Sequence, residues 1–310
     1  MHEHCGPSRY INAGGVQLAV REWGERGRPT ILLVHGYPDS SQIWDATAAR
    51  LAQDFHVVAY DVRGAGQSSA PHAVEDYALA YLVADTAAVV AAVSPDKPVH
   101  LVGHDWGSIQ SWETVTTATM RGRIASYTTV SGPCLDHVGH WMRRRLGSGR
   151  AAQLRRVAVQ ALHSWYIGLF HLPLAAPMAW ALGLARYWPT LLHRLEGVDA
   201  HIDPAQRKNG IHGIKLYRAN VRERILRPRQ RRTELPVQLI VPRRDRFVMP
   251  QLFDDLPQWA PKLWRCEIDA GHWLPLSHPQ HLADKIRSFV MAVESGIEAP
   301  APPDAGGQGA

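Results

Sequence analysis

The chain has 310 residues, 45% hydrophobic, 20% charged and 8% aromatic, a balance suited to one large α/β domain or a core with a modest insertion. Three scattered cysteines, Cys5, Cys134 and Cys266, exclude a disulfide framework, and residues 1–30 hold no apolar block of signal-peptide length, so an intracellular, cytoplasmic setting is expected. The net charge of +6 is unevenly spread: residues 136–232 carry 18 Lys and Arg against 5 Asp and Glu, and the remainder carries 16 against 23.

In chain order, residues 8–23 read as strand, turn and strand around Gly14 and Gly15. Thr30–Val34 is a β-branched apolar run read as a buried strand, and it ends in His35-Gly36-Tyr37-Pro38. Residues 41–52 have helical spacing, 56–60 form the next buried strand, and 61–68 read as a structural turn whose glycines match no phosphate-loop pattern. Residues 77–93 predict a helix, with Ala84, Ala88 and Ala91 as a small-residue stripe suited to packing on a sheet. Strands follow at 99–103, 124–130, 237–241 and 264–268, and an amphipathic helix at 281–293 closes the pattern. Short apolar strands alternating with helices imply a mostly parallel sheet covered on both faces.

Residues 136–232 break that alternation. They are helix-rich and basic, and they predict a cap inserted between two strands of a core made of 1–135 and 233–297. The tail at 298–310 is rich in Pro, Gly and Ala and reads as disordered. Within the insert, Val157–Ala185 contains no charged residue. Its length suits a membrane span, but Pro173 and Pro177 are expected to split it into shorter helices, so a greasy cap lining a substrate tunnel is the favoured reading. Nucleic acid is not expected, because no recognised binding module accompanies the basic charge. Peripheral contact with an anionic membrane through this cap is one alternative, and a solvated helical face is another.

The chemistry gathers around Gly103-His104-Asp105-Trp106-Gly107, a strand-to-helix elbow with aspartate where serine usually stands. A helix N-terminus favours a negative charge there. A carboxylate nucleophile attacks saturated carbon and forms an alkyl ester, and that ester can then be hydrolysed at its own carbonyl. A plain N-cap aspartate fits the same five residues. The nucleophile–acid–histidine order of this layout is completed by Asp245, in the loop after the 237–241 strand, and His272, in the loop after 264–268. His272 would serve as general base and Asp245 would fix its tautomer. The N–H groups of Tyr37 and Trp106 would form the oxyanion hole, and the Tyr37–Pro38 bond is a candidate for the cis form. The 17 histidines lack metal-ligand spacing, and His2 and His4 stand near the terminus, so no metal is expected.

Taken together, HGYP, DVRGAGQS, GHDWGS, the loop Asp245 and AGHW resemble the α/β-hydrolase-fold epoxide hydrolases over nearly the whole chain, to about residue 295. The likeness is greatest to the hydrolase part of actinobacterial two-domain proteins in which a short-chain reductase follows. That resemblance implies the α/β-hydrolase fold with a helical cap, an epoxide and water as reactants, and no cofactor. It places Tyr166 and Tyr217 as the cap tyrosines that donate to the epoxide oxygen, with Tyr187 as the substitute. His35, Pro38, Trp141, Trp165 and Trp273 are expected in the substrate pocket beside Trp106. Haloalkane dehalogenases share the Asp nucleophile and its following Trp, but they typically carry Asn where this chain has Tyr37. Fluoroacetate dehalogenases usually carry Arg where it has Trp106. An ester or lactone hydrolase and a hydrolase-fold protein that binds ligand without turnover complete the alternatives.

Overall fold

The computed structural model describes residues 9–200 and 203–299. Eight strands form one sheet: β1 (Arg9–Ala13), β2 (Val16–Trp23), β3 (Thr30–Val34), β4 (His56–Tyr60), β5 (Val99–His104), β6 (Ile124–Val130), β7 (Val237–Pro242) and β8 (Leu263–Ile268). Their order is β1-β2-β4-β3-β5-β6-β7-β8, antiparallel at the β1–β2 and β2–β4 junctions and parallel elsewhere. Every residue of β3, β4 and β5 is buried, which is why these segments read as unbroken apolar runs. The pleat then divides the apolar side chains between two cores. Leu32 and Val34 join Leu82 and Trp112 on one face, whereas Ile31 and Leu33 join Leu51 and Ile286 on the other.

The first face is covered by α2 (Leu79–Val93) and α3 (Trp106–Thr116). The second is covered by α1 (Asp45–Leu51) and by the C-terminal helix, Pro279–Glu294. Of the alanine stripe of α2 only Ala88 packs, half-buried, against the core: Ala84 and Ala91 are exposed, while Leu79, Leu82, Val83, Val89 and Val90 turn inward. Larger side chains remove more apolar area from water, and they set the helix's rotation.

Between β6 and β7 the described residues form helices and no strand: α4 (Leu135–Gly147), α5 (Ala151–His163), α6 (Trp165–His171), α7 (Ala175–Ala179), α8 (Ala185–Glu196) and α9 (Gln206–Leu226). Pro173 separates α6 from α7, as expected. Pro177 breaks nothing, because it falls in the first turn of α7, where backbone N–H groups have no helical partner. The next irregularity is a widened turn at Trp180–Leu184, where Gly183 takes φ 149°. The α6–α7 bend is held by Arg218 of α9, whose guanidinium donates to the Phe170 carbonyl at 2.7 Å and to the Leu172 carbonyl at 2.6 Å.

Both ends of this insert are tied to α3. Arg229, beyond α9, places one guanidinium nitrogen 2.6 Å from Glu113 of α3 and 2.8 Å from Asp136 of α4. Arg231 pairs with Glu113 as well. Residues 300–310 of the expected tail, together with His2, His4 and Cys5, lie outside the described residues.

Candidate active site

Asp105 follows the last residue of β5 and precedes α3, with φ 52° and ψ −121°. A left-handed backbone is uncommon for a residue with a side chain and persists only where the surroundings enforce it. Here the strand must turn into a helix that lies against β3, and a Cβ at Gly107 would stand 2.0 Å from the Val34 carbonyl oxygen. Although it occupies the N-cap position, the Asp105 carboxylate makes no capping hydrogen bond. Its Oδ1 instead accepts the Tyr37 N–H at 2.7 Å. The His35–Pro38 turn reaches that close because Gly36 has no side chain: a Cβ there would be 2.4 Å from the same oxygen. The Tyr37–Pro38 bond is cis.

His272 stands on the other side of the carboxylate, its Nε2 3.6 Å from Asp105 Oδ2. Its Nδ1 lies 2.9 Å from Asp245 Oδ2. The second Asp245 oxygen accepts the N–H groups of Phe247 at 2.8 Å and Val248 at 3.0 Å, so the carboxylate is fully engaged. Burial works to raise the proton affinity of Asp245, but the His272 charge and these hydrogen bonds outweigh it and hold the group below the ordinary carboxylate range. For His272, burial opposes the proton, and the two carboxylates outweigh burial and lift it well above the ordinary imidazole value. The proton on Nδ1 therefore points at Asp245, and the Nε2 edge faces Asp105.

Asp105 opens onto a cavity of about 350 Å³ with a mostly apolar wall, to which Trp141, Val157, Leu252 and Phe247 contribute. Tyr166 of α6 and Tyr217 of α9 line it too, their ring centroids 6.1 Å apart. Burial raises both phenols above their ordinary value, with the negative charge of Asp105 adding to each. Both thus remain protonated donors near the carboxylate. Trp106 lines the cavity as the first residue of α3, with one of the N–H groups that a helix leaves unpaired at its start.

Of the other expected pocket residues, only Trp141 reaches this cavity. Trp165 is 68% exposed, one position away from the inward-facing Tyr166. His35 braces the fold, its Nδ1 donating to the Gly36 carbonyl and its Nε2 accepting the Val62 N–H, both at 2.9 Å. It borders a separate small hollow together with Pro38. Trp273 is buried against His272, with ring centroids 4.8 Å apart, and its indole N–H donates to Asp39 at 3.0 Å. Tyr187, the substitute donor, is exposed.

Three residues escaped the sequence reading. Phe247, two positions beyond Asp245, packs its ring 5.0 Å from His272 and 5.5 Å from Tyr166; its place in the acid loop was the available signal. Asp39, in the HGYPD turn, is pushed up to about 7 by burial, with Asp105 adding to the effect. Glu196, the last residue of α8, sets its carboxylate against Gly271, where a Cβ would be 1.7 Å from Oε2. Its Oε1 is buried without a hydrogen-bond partner among the described residues, and burial raises its proton affinity despite the nearby His272. No sequence signal pointed to it.

Residues 29–162 match the family model of the alpha/beta hydrolase fold. A probable oxidoreductase, EphD, of Mycobacterium tuberculosis is 36% identical over 290 residues, covering 91% of this chain and 49% of the relative. Epoxide hydrolase A of the same species is 37% identical over 128 residues, covering 41% of this chain and 39% of that one. The chain thus spans about half, or less, of the length of these curated relatives. An epoxide hydrolase of Bacillus megaterium, solved with a naphthyloxy-propanediol product, superimposes with a TM-score of 0.76 at 23% identity, over 91% of this chain and 100% of that one. Together with the sheet order and the elbow, these likenesses mean that the chain belongs to the α/β-hydrolase fold.

Proposed function

We propose that the protein is an epoxide hydrolase that opens an apolar epoxide to a vicinal diol through an ester on Asp105, with residues 136–232 acting as the cap over the site. The observation that carries this reading is the position of the Asp105 carboxylate. One oxygen is fixed by the Tyr37 N–H, and the other lies between His272 and a cavity that also holds Tyr166 and Tyr217. The epoxide hydrolase names among the relatives and structural neighbours support it.

The chemistry balances in two steps. Asp105 Oδ2 attacks a ring carbon, the ring C–O bond breaks, and Tyr166 or Tyr217 gives a proton to the departing oxygen. Esterification removes the Asp105 charge, one of the two that hold the proton on His272, so the imidazole releases that proton to restore the phenol. Neutral His272 then takes a proton from water, whose oxygen adds to Asp105 Cγ. The resulting oxyanion is held by the N–H groups of Tyr37 and Trp106. The alkyl C–O bond stays intact, the Cγ–O bond breaks, and the departing alkoxide takes the second water proton from the Asp105 carboxyl, so the diol leaves with an oxygen that began on Asp105. The carboxylate and the imidazolium are regenerated together.

Diol formation from a panel of aromatic and long-chain epoxides tests the activity. A single turnover in oxygen-18 water tests the route: the label should enter Asp105 and the first diol should be unlabelled. Label in that first diol would exclude the ester. One observation favours a second reading, because the buried Trp106 ring packs 4.8 Å from Tyr217 beside the cavity, and its indole N–H would suit a leaving halide. Halide release from haloalkanes, without diol formation from any epoxide, would establish that reading instead.

A further inference from the structure

The apolar stretch between Val157 and Ala185 is not wholly consumed by the cavity. Along α5 and α6, Ala161, Ser164, Tyr166 and Ile167 line the cavity, while Leu162 and Trp165 beside them are exposed. The wall of the site is therefore one helix thick, and its outer surface is apolar. From the start of α7 the exposed residues Leu174, Met178 and Leu182 stand four apart up to the kink at Gly183, and beyond it Arg186, Thr190 and Arg194 stand four apart on α8. Residues four apart share a helix face. The inner side of the same run is buried at Ala176, Trp180 and Leu192. Leu182 is 80% exposed and Leu162 72%, where a monomer in water would normally cover such side chains.

The charge beside this face is mostly positive, with the exposed Asp199 after α8 paired to His193. Arg150, just before α5, and Arg155 within it precede the apolar stretch, and Arg186 and Arg194 follow on α8. None of these four has a side-chain hydrogen bond or ion pair among the described residues, in contrast to Arg145, Arg229 and Arg231, which engage carboxylates. No single helix here is long and apolar enough to cross a membrane, and the pair Trp165–His171 and Ala175–Glu196 is bent by 95°. An apolar toe with an unpaired arginine heel, seated on a helix whose other side is packed, is the arrangement of a helix that lies in the plane of a membrane interface.

We propose that the outer face of α5–α8 docks on an anionic lipid bilayer, with Leu162, Trp165, Leu174, Met178 and Leu182 entering the headgroup boundary and the four free arginines meeting lipid phosphates. The face chooses a bilayer over a protein because it combines apolar projections with cations that lack fixed partners, and anionic headgroups satisfy both without a shaped counterpart. Docking holds the thin wall of the cavity against the lipid, so an apolar substrate has the shortest route from membrane to site.

Flotation of the full chain with vesicles tests this without reference to turnover. Vesicles of phosphatidylglycerol and phosphatidylcholine should carry the protein at least about tenfold better than phosphatidylcholine alone, and salt should weaken the capture. Leu162→Ser/Leu174→Ser/Leu182→Ser should lose capture with an unchanged thermal melt, and Arg186→Glu/Arg194→Glu should lose only the preference for anionic lipid. Absence of wild-type capture would overturn the proposal, as would capture indifferent to both variants. A wild-type dimer that the triple serine variant turns into monomer, with no vesicle capture, would overturn it in favour of a second copy.

Discussion

The sheet core and the helical insert solve different problems with the same residues. In β3, β4 and β5 no side chain is left to solvent, and Asp245 has both carboxylate oxygens engaged. In α6 no residue is fully buried, and the insert exposes Leu162, Trp165, Leu174 and Leu182. Chemistry that depends on a fraction of an ångström sits on the close-packed side. The side that must admit and release a ligand is built from loosely covered helices, where local opening is less costly. Tyr166 and Tyr217 are where the insert lines the cavity beside Asp105, and the comparison can be tested at that seam.

The largest effect is expected in the core. Asp105→Asn removes the proposed nucleophile while keeping the Tyr37 contact, and turnover should fall by at least ~10⁴-fold. The same variant leaves His272 with one carboxylate, so its titration, followed by NMR, should move down from the raised wild-type position. If the raised value persists, Asp105 is not its second source. From the insert, Tyr166→Phe/Tyr217→Phe should lower diol formation by ~10²–10⁴-fold, the usual worth of acid assistance. A loss comparable to that of Asp105→Asn in a folded protein would mean that the insert shapes the nucleophile as well as the leaving group.

Where the two regions meet, Gly271→Ala forces either Glu196 or the His272 loop to move. Activity should drop ~10–100-fold through misplacement of the base. Adding Glu196→Ala should recover part of it, and recovery is what separates displacement from simple misfolding. The smallest effect concerns Asp39, raised to about 7. A carboxyl with a raised folded value binds more protons folded than unfolded, so its contribution to stability falls as pH rises from about 4 to 7 and is flat above. Asp39→Asn should therefore melt higher than wild type by a few degrees at pH 8, by an amount of the order of ~2–4 °C, and the gap should close toward pH 4. An equal gap at both pH values would show that the charge is not its cause.

Sequence made the core more legible than the insert, for a physical reason. A buried parallel strand must be apolar on both faces, so β3 to β7 stand out as runs, and the elbow needs glycine at fixed places around Asp105. His272 and Asp245 follow from their places after β8 and β7. The rotation of α2 was misread because small residues suit a close approach but do not compel it. Trp165 looked like a pocket residue because aromatic content says nothing about which of two adjacent helical positions faces inward, and Tyr166 took that place. Glu196 reaches Gly271 across 75 positions of chain, a proximity that no local pattern records.

The knot of Glu113, Asp136, Arg229 and Arg231 joins the first helix of the insert and the segment that follows its last helix to one point on α3. The insert is therefore an arch with both feet tied together. With its base held by these ion pairs, such an arch would open only by flexing along its span, through α5 to α8. The door for substrate and the floor resting on lipid would then be the same stretch of chain, so whatever grips that stretch also sets how often the door swings.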